Sequence, residues 1–226
     1  DATFYANTTG GPIYAVDQQS DGKVIVAGKF GYVNGTQLDK IARLNTDGTV
    51  DSSFYIAGSL TGSWVAQLAV QSDDKVVIGG SFSHVHGFAR SNIARLQANG
   101  NLDSGFDPGA GTNGAIYAIK NEANDKVVIG GEFTQIDGYF LNRIARLNTD
   151  GSVDGSFNPG VGASGLNVYN IGQWEDHVVI GGEFTHYDAV ARNNLAGIEP
   201  NGALDTEFDP GTGANAGVFS LSLIHI

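Results

Sequence analysis

An Asp-x-x-Phe pair recurs at Asp1/Phe4, Asp51/Phe54, Asp103/Phe106, Asp154/Phe157 and Asp205/Phe208, with spacings of 50, 52, 51 and 51 residues. Two further landmarks keep the same register. Gly28, Gly80, Gly131 and Gly182 each stand two residues before a phenylalanine: Phe30, Phe82, Phe133 and Phe184. Ile-Ala-Arg-Leu fills residues 41–44, 93–96 and 144–147 and weakens to Leu-Ala-Gly-Ile at 195–198. Such self-similarity is the mark of a repeat architecture, in which a unit too small to bury its own faces buries them by stacking on its neighbours.

The third copy shows what the unit is. Residues 115–119 form a β-prone apolar stretch, Asn124-Asp125 a turn, and Lys126 to Gly131 an apolar run of the kind buried on both faces. Phe133-Thr134 continues that strand and Asp137-Gly138 turns the chain. Arg143 to Asn148 reads as a third strand, and Asp150-Gly151 as a hairpin turn able to take positive φ at both central positions. Val153 to Phe157 reads as a short fourth strand, and the Pro159-Gly160 segment leads into the next copy. No window carries a helical period. The expected fold is all-β: a β-propeller of tandem four-stranded antiparallel blades of about 51 residues, incomplete within this chain. Residues 1–226 form one repeat domain with units at 1–50, 51–102, 103–153 and 154–204 and a partial unit at 205–226.

The pattern Gly-Gly-x-Phe-Thr, then Asp-Gly, then Arg-Ile-Ala-Arg-Leu-Asn-x-Asp-Gly-Ser-x-Asp-x-Ser-Phe-x-Pro-Gly is fullest from Gly130 to Gly160. It resembles the delta-60 repeat, a bacterial and phage-associated β-propeller domain of unknown function. The resemblance covers nearly the whole chain and implies a surface or extracellular setting, with no catalytic residues to carry over. Kelch blades share a glycine doublet and a similar period. Their downstream tryptophan has no counterpart here, because Trp64 and Trp174 precede the doublet.

Composition narrows the functional classes. The hydrophobic fraction of 41% suits a globular core, and 33 glycines are about twice ordinary usage. The chain has no Cys, which removes disulfides, thiol chemistry and cysteine-ligated zinc. Its net charge of −12 repels phosphate backbones and anionic headgroups, so nucleic acid is not expected as a partner, and its longest apolar runs are only a handful of residues, so membrane insertion is not expected. With no Met at all, residue 1 is not a translational start, and the chain reads as a processed product or part of a longer one. The terminal Leu221 to Ile226 stands where a polar turn is due. One coding of it matches a sequencing-library adaptor, so it reads either as that or as a native apolar strand.

Candidate sites divide by repetition. A residue present in every copy serves the blade, whereas one peculiar to a copy is free to serve a ligand. Asp51, Asp103, Asp154 and Asp205, with Arg43, Arg95 and Arg146, read as turn hydrogen bonds or ion pairs within a blade. The Asp-Gly and Asn-Gly turns fall short of a calcium loop. His84, His86 and His186 fall short of a metal rim, and His86 shares with Asn34, Asp137 and Asp188 the place of a positive-φ turn residue. No catalytic residue, metal ligand or cofactor is expected. The copy-specific aromatics Tyr139, Phe140, Tyr32, Tyr187 and Trp174 are the binding candidates, since exposed loop aromatics favour sugar or protein contact. Packing between blades is the competing reading of the same residues. The function expected is a non-catalytic extracellular or virion-surface module that binds glycan or protein through its loops. The alternatives are a structural subunit that self-associates through its terminal strands and an enzyme with a site at the propeller mouth.

Overall fold

The computed structural model describes residues 4–38, 40–54, 60–174 and 176–222. Asp1 and Leu223 to Ile226, singled out above, lie outside them. All regular structure among the described residues is β-strand. Each copy builds an antiparallel sheet whose second strand is central. The strands are Ile13–Gln18, Val24–Gly28 and Ile41–Leu44 in the first copy, and Leu60–Val70, Val76–Val85 and Ile93–Leu96 in the second. They are Ile116–Asn121, Val127–Gly131 and Ile144–Leu147 in the third, and Ala163–Trp174, His177–Tyr187 and Leu195–Ile198 in the fourth. The chain divides into two compact units, residues 1–107 and 108–226, each holding two of these sheets.

The central strands are apolar because both of their faces are covered. In the first unit Ile25 and Ala27 pack with Val65 and Leu68 of the second copy. Val26, on the opposite face, packs with Phe30, Val33, Leu38 and Ala42. In the second unit Val128 and Ile144 join Val168, Ile171, Phe184 and Tyr187 in one core.

The glycine doublet has two separate jobs. At Gly28, Gly80, Gly131 and Gly182 a Cβ would stand within 3.0 Å of a first-strand backbone carbonyl, that of Pro12, Trp64, Ala115 or Asn167. Each first strand shifts register beside that glycine, as between Ile116 and Ala118, so a β-bulge presses its backbone onto the central strand. The preceding glycines make room for the next copy. A Cβ on Gly130 would lie 2.6 Å from Val168, and one on Gly181 would lie 2.7 Å from Val218.

Three details depart from the sequence reading. The fourth strand shrinks to isolated bridges, Leu44–Val50, Leu96–Leu102, Leu147–Val153 and Ile198–Leu204. The following aspartate turns the chain instead, because its Oδ1 accepts the N–H two residues on, from Ser156 at 3.0 Å in the third copy. Phe133-Thr134 does not continue its strand. A separate hairpin, Gln135–Ile136 with Tyr139–Phe140, follows, whereas the second and fourth copies run on unbroken to Val85 and Tyr187. At Asp150-Gly151 only the glycine has positive φ, 89°. The pair with positive φ at both centres is the other expected turn, with Asp137 at 46° and Gly138 at 80°. Asn34, His86 and Asp188 occupy the same conformation at 48°, 50° and 45°.

Candidate functional site

The recurring Asp and Arg form a clamp inside each of the first three copies. Arg43 Nε donates to Asp51 at 2.9 Å, Arg95 Nε to Asp103 at 2.8 Å, and Arg146 Nε to Asp154 at 2.7 Å. Each guanidinium lies 4.9 Å over a phenylalanine ring, Phe54, Phe106 or Phe157. A lysine adds a second cation: Lys23 at 2.9 Å, Lys75 at 3.7 Å and Lys126 at 2.8 Å. Arg43 also reaches the next copy at the Ala98 carbonyl, 2.6 Å away, and Arg146 does so at the Pro200 carbonyl, 2.7 Å away. Burial alone would raise the Asp154 carboxyl. Hydrogen bonds from Lys126, Ser156 and Arg146 outweigh it and hold the group well below the usual carboxylate range. These charges are consumed in holding the blades, as the repetition implied.

The fourth copy breaks the pattern around an unchanged aspartate. Gly197 stands where the arginine was, and His177 where the lysine was. Glu199 replaces Asn45, Gln97 and Asn148, and Glu207 replaces Ser53, Gly105 and Ser156. His177 Nδ1 is 2.9 Å from Asp205 Oδ2, and its Nε2 is 3.8 Å from Glu199 and 3.4 Å from Asp176. The hydrogen bond to Asp205 raises the His177 pKa above its ordinary value. Beside these groups opens a cavity of about 270 Å³ lined by Trp174, His177, Asp205, Glu207 and Phe208. Ligand atoms of His177, Glu199 and Asp205 lie within 4.8 Å of one another, close enough to hold a metal ion. No local motif announces this cluster, although the Lys-to-His and Arg-to-Gly exchanges are legible by register. The histidines it weighed are not drawn together: His84 bonds Ser83, His86 the Gly100 carbonyl, and His186 Thr185.

Four of the five candidate aromatics are exposed. Tyr139 and Phe140 are 59% and 79% exposed on the third copy's hairpin. Tyr139 also lines a groove of about 250 Å³ with Leu141, Asp154, Phe157 and Asn158. Tyr32 is exposed on the equivalent hairpin of the first copy, where the second copy exposes Phe88 and the fourth Val190. Trp174 is exposed at the fourth copy's cavity. Tyr187 is the correction. It is wholly buried and donates its hydroxyl to the Gly202 carbonyl at 2.6 Å, so it belongs to the core. It ends a central strand whose register turns that position inward, opposite Ala163.

A second aromatic set went unread in the sequence. Tyr14, Tyr117 and Tyr169 occupy the first-strand bulges. In the second unit Tyr117 and Tyr169 lie 5.4 Å apart, and Tyr169 stacks on Phe219 at 5.0 Å. Tyr117 donates to Glu132 at 3.0 Å and Tyr169 to Glu183 at 2.9 Å. Burial and the Glu132 carboxylate push the Tyr117 phenol up to about 12.

The sequence model of a β-propeller domain of unknown function, DUF5122, matches residues 19–54, 71–106, 122–157 and 176–208, well over half of the chain. No relative was found among curated proteins. Among solved structures, the chain superposes on PorZ, a surface component of the type-IX secretion system of Porphyromonas gingivalis, with a TM-score of 0.52 and 13% identity. That match covers 92% of this chain and 29% of PorZ. Virginiamycin B lyase from Staphylococcus aureus gives a TM-score of 0.47 at 18% identity over 89% of this chain and 58% of the lyase. A Bacteroides caccae protein of unknown function gives 0.41 at 15% identity, over 88% of this chain and 67% of its own. This chain therefore spans a little over half of the lyase and under a third of PorZ.

Proposed function

The chain belongs to the DUF5122 β-propeller family, and from that premise we propose that it is a non-catalytic binding module that takes a glycan or a protein surface on the hairpins following its central strands. One observation carries this reading. The third copy's hairpin holds two adjacent, largely exposed aromatics, Tyr139 and Phe140, beside a groove of about 250 Å³. Exposed tyrosine and phenylalanine give large contact area at small entropic cost, and a polar group such as Asn158 at the groove can orient a ligand. The first three copies differ at this hairpin while their clamps stay constant, as expected when the frame is structural and the hairpin selects the ligand. The non-catalytic reading is supported by the clamps, which in the first three copies engage the recurring carboxylates with arginine and lysine. An extracellular or surface setting fits the net charge of −12 and repeats of the delta-60 kind.

The test is retention on glycan and cell-surface protein arrays. Saturable binding that Phe140→Ala or Tyr139→Ala weakens about tenfold, with the circular dichroism spectrum unchanged, is the expected result. Binding unaffected by both substitutions would remove the hairpin from the interface.

A further inference from the structure

We propose that the fourth copy carries a binding site for a divalent transition-metal ion held by His177, Glu199 and Asp205. Clusters of exposed acids are common without any ion, so the case rests on the three sibling copies. At the equivalent point each sibling places two protein cations on its aspartate: Lys23 and Arg43, Lys75 and Arg95, or Lys126 and Arg146. Five equivalent positions, those of Lys23, Arg43, Asn45, Asp51 and Ser53 in the first copy, carry a formal charge of +1 in each sibling. In the fourth copy the same positions hold His177, Gly197, Glu199, Asp205 and Glu207, a formal charge of −3 with His neutral. The aspartate has kept its place and its burial, while the lysine and arginine around it have given way to a single histidine 2.9 Å away.

The geometry suits a metal ion as the replacement. Asp205 Oδ1 is fixed by the backbone N–H groups of Glu207 at 2.8 Å and Phe208 at 3.1 Å, which leaves Oδ2 directed at His177. Ligand atoms within 4.8 Å of one another need only a modest closure to reach the spacing of roughly 3 Å between neighbouring ligands on an ion bound at about 2.1 Å. Asp205 faces Nδ1 and Glu199 faces Nε2 of the one imidazole, so Glu199, which is partly exposed, must swing toward the Nδ1 side to share an ion with Asp205. A cavity of about 270 Å³ leaves room for coordinated waters, each of which needs roughly 30 Å³. One imidazole with two carboxylates is a donor set for zinc-like ions, whereas calcium and magnesium favour oxygen alone. Asp176 and Glu207 stand at the rim and add to the attraction for a cation. Gly197 closes the alternative of an internal guanidinium, since its Cβ would lie 2.6 Å from Phe208.

Calorimetric titration of the tag-free, chelator-treated chain with zinc chloride tests this. One saturable site per chain is expected. Glu199→Asn should weaken it about 10- to 100-fold, and His177→Lys, which restores the sibling residue, should abolish it with the melting temperature kept or raised. If His177→Lys fails to fold, Glu199→Asn and Asp205→Asn together carry the same decision. No saturable zinc heat overturns the proposal. So does binding that survives His177→Lys, or a pocket that takes tetramethylammonium and not zinc.

Discussion

Replacing Arg146 by alanine removes the centre of the third copy's clamp. Its guanidinium is nearly buried, donates to Asp154 at 2.7 Å and to the Pro200 carbonyl at 2.7 Å, and covers Phe157 at 4.9 Å. Breaking a buried ion pair by deleting one partner costs about 3–5 kcal/mol, because the remaining charge stays desolvated. Lys126 remains 2.8 Å from the same Asp154 oxygen and offsets part of that cost. The expected loss is therefore at the lower end, about 3 kcal/mol, which is on the order of a hundredfold in the unfolding equilibrium. For a chain of this size that lowers the melting temperature by roughly 6–12 °C. Urea unfolding followed by circular dichroism measures it, and Lys126→Met alone and combined with Arg146→Ala gives the coupling. The double change should cost clearly more than the sum of the two singles, since Asp154 is then buried with no cation. A loss for Arg146→Ala below about 1 kcal/mol, the worth of an exposed pair, would refute the clamp as the element that holds the blade.

Two further outcomes follow from particular contacts. Gly131→Ala drives a Cβ within 3.0 Å of the Ala115 carbonyl and should cost about 1–3 kcal/mol in thermal unfolding, whereas Gly155→Ala meets nothing within 4 Å and should stay within about 0.5 kcal/mol. The Tyr117 phenol, held at about 12, should ionise in a late step of an absorbance titration that Tyr117→Phe removes. Its folded-state pKa is raised, so the stability it contributes is complete below about pH 10 and is lost as pH climbs through about 12. Ionisation near 10 would mean that the Glu132 hydrogen bond does not form.

Much of the frame was legible because its signals are local and repeated. The turn at Asn34, His86, Asp137 and Asp188 was readable from its position before Gly or Ala, and all four residues have positive φ. The Asp and Arg of the first three copies lie eight residues apart across one turn, so a turn hydrogen bond or an ion pair within the blade was readable from register, and the ion pair is what forms. The short fourth strand was over-read. Val153 to Phe157 is apolar only at its two ends, and the Asp154 side chain satisfies the backbone locally and ends the pairing after one bridge.

The candidate sites were legible only in part, and Tyr187 shows why. Its copy-specific position suggested a ligand, yet a side chain on a strand faces in or out according to register, and a bulge upstream resets that register. Tyr117 and Tyr169 meet because each sits at the first-strand bulge of its copy, and Phe219 stacks on Tyr169. The repeat, the all-β character and the turn positions are legible along the chain, because each arises from residues near one another. Which aromatics meet solvent emerges only when the strands are aligned and stacked. The tertiary structure also brought His177, Glu199 and Asp205 to one point and showed that the two glycines of the doublet answer to two different copies. Those outcomes depend on how strands from separate parts of the chain are aligned and stacked, and no local pattern encodes that alignment.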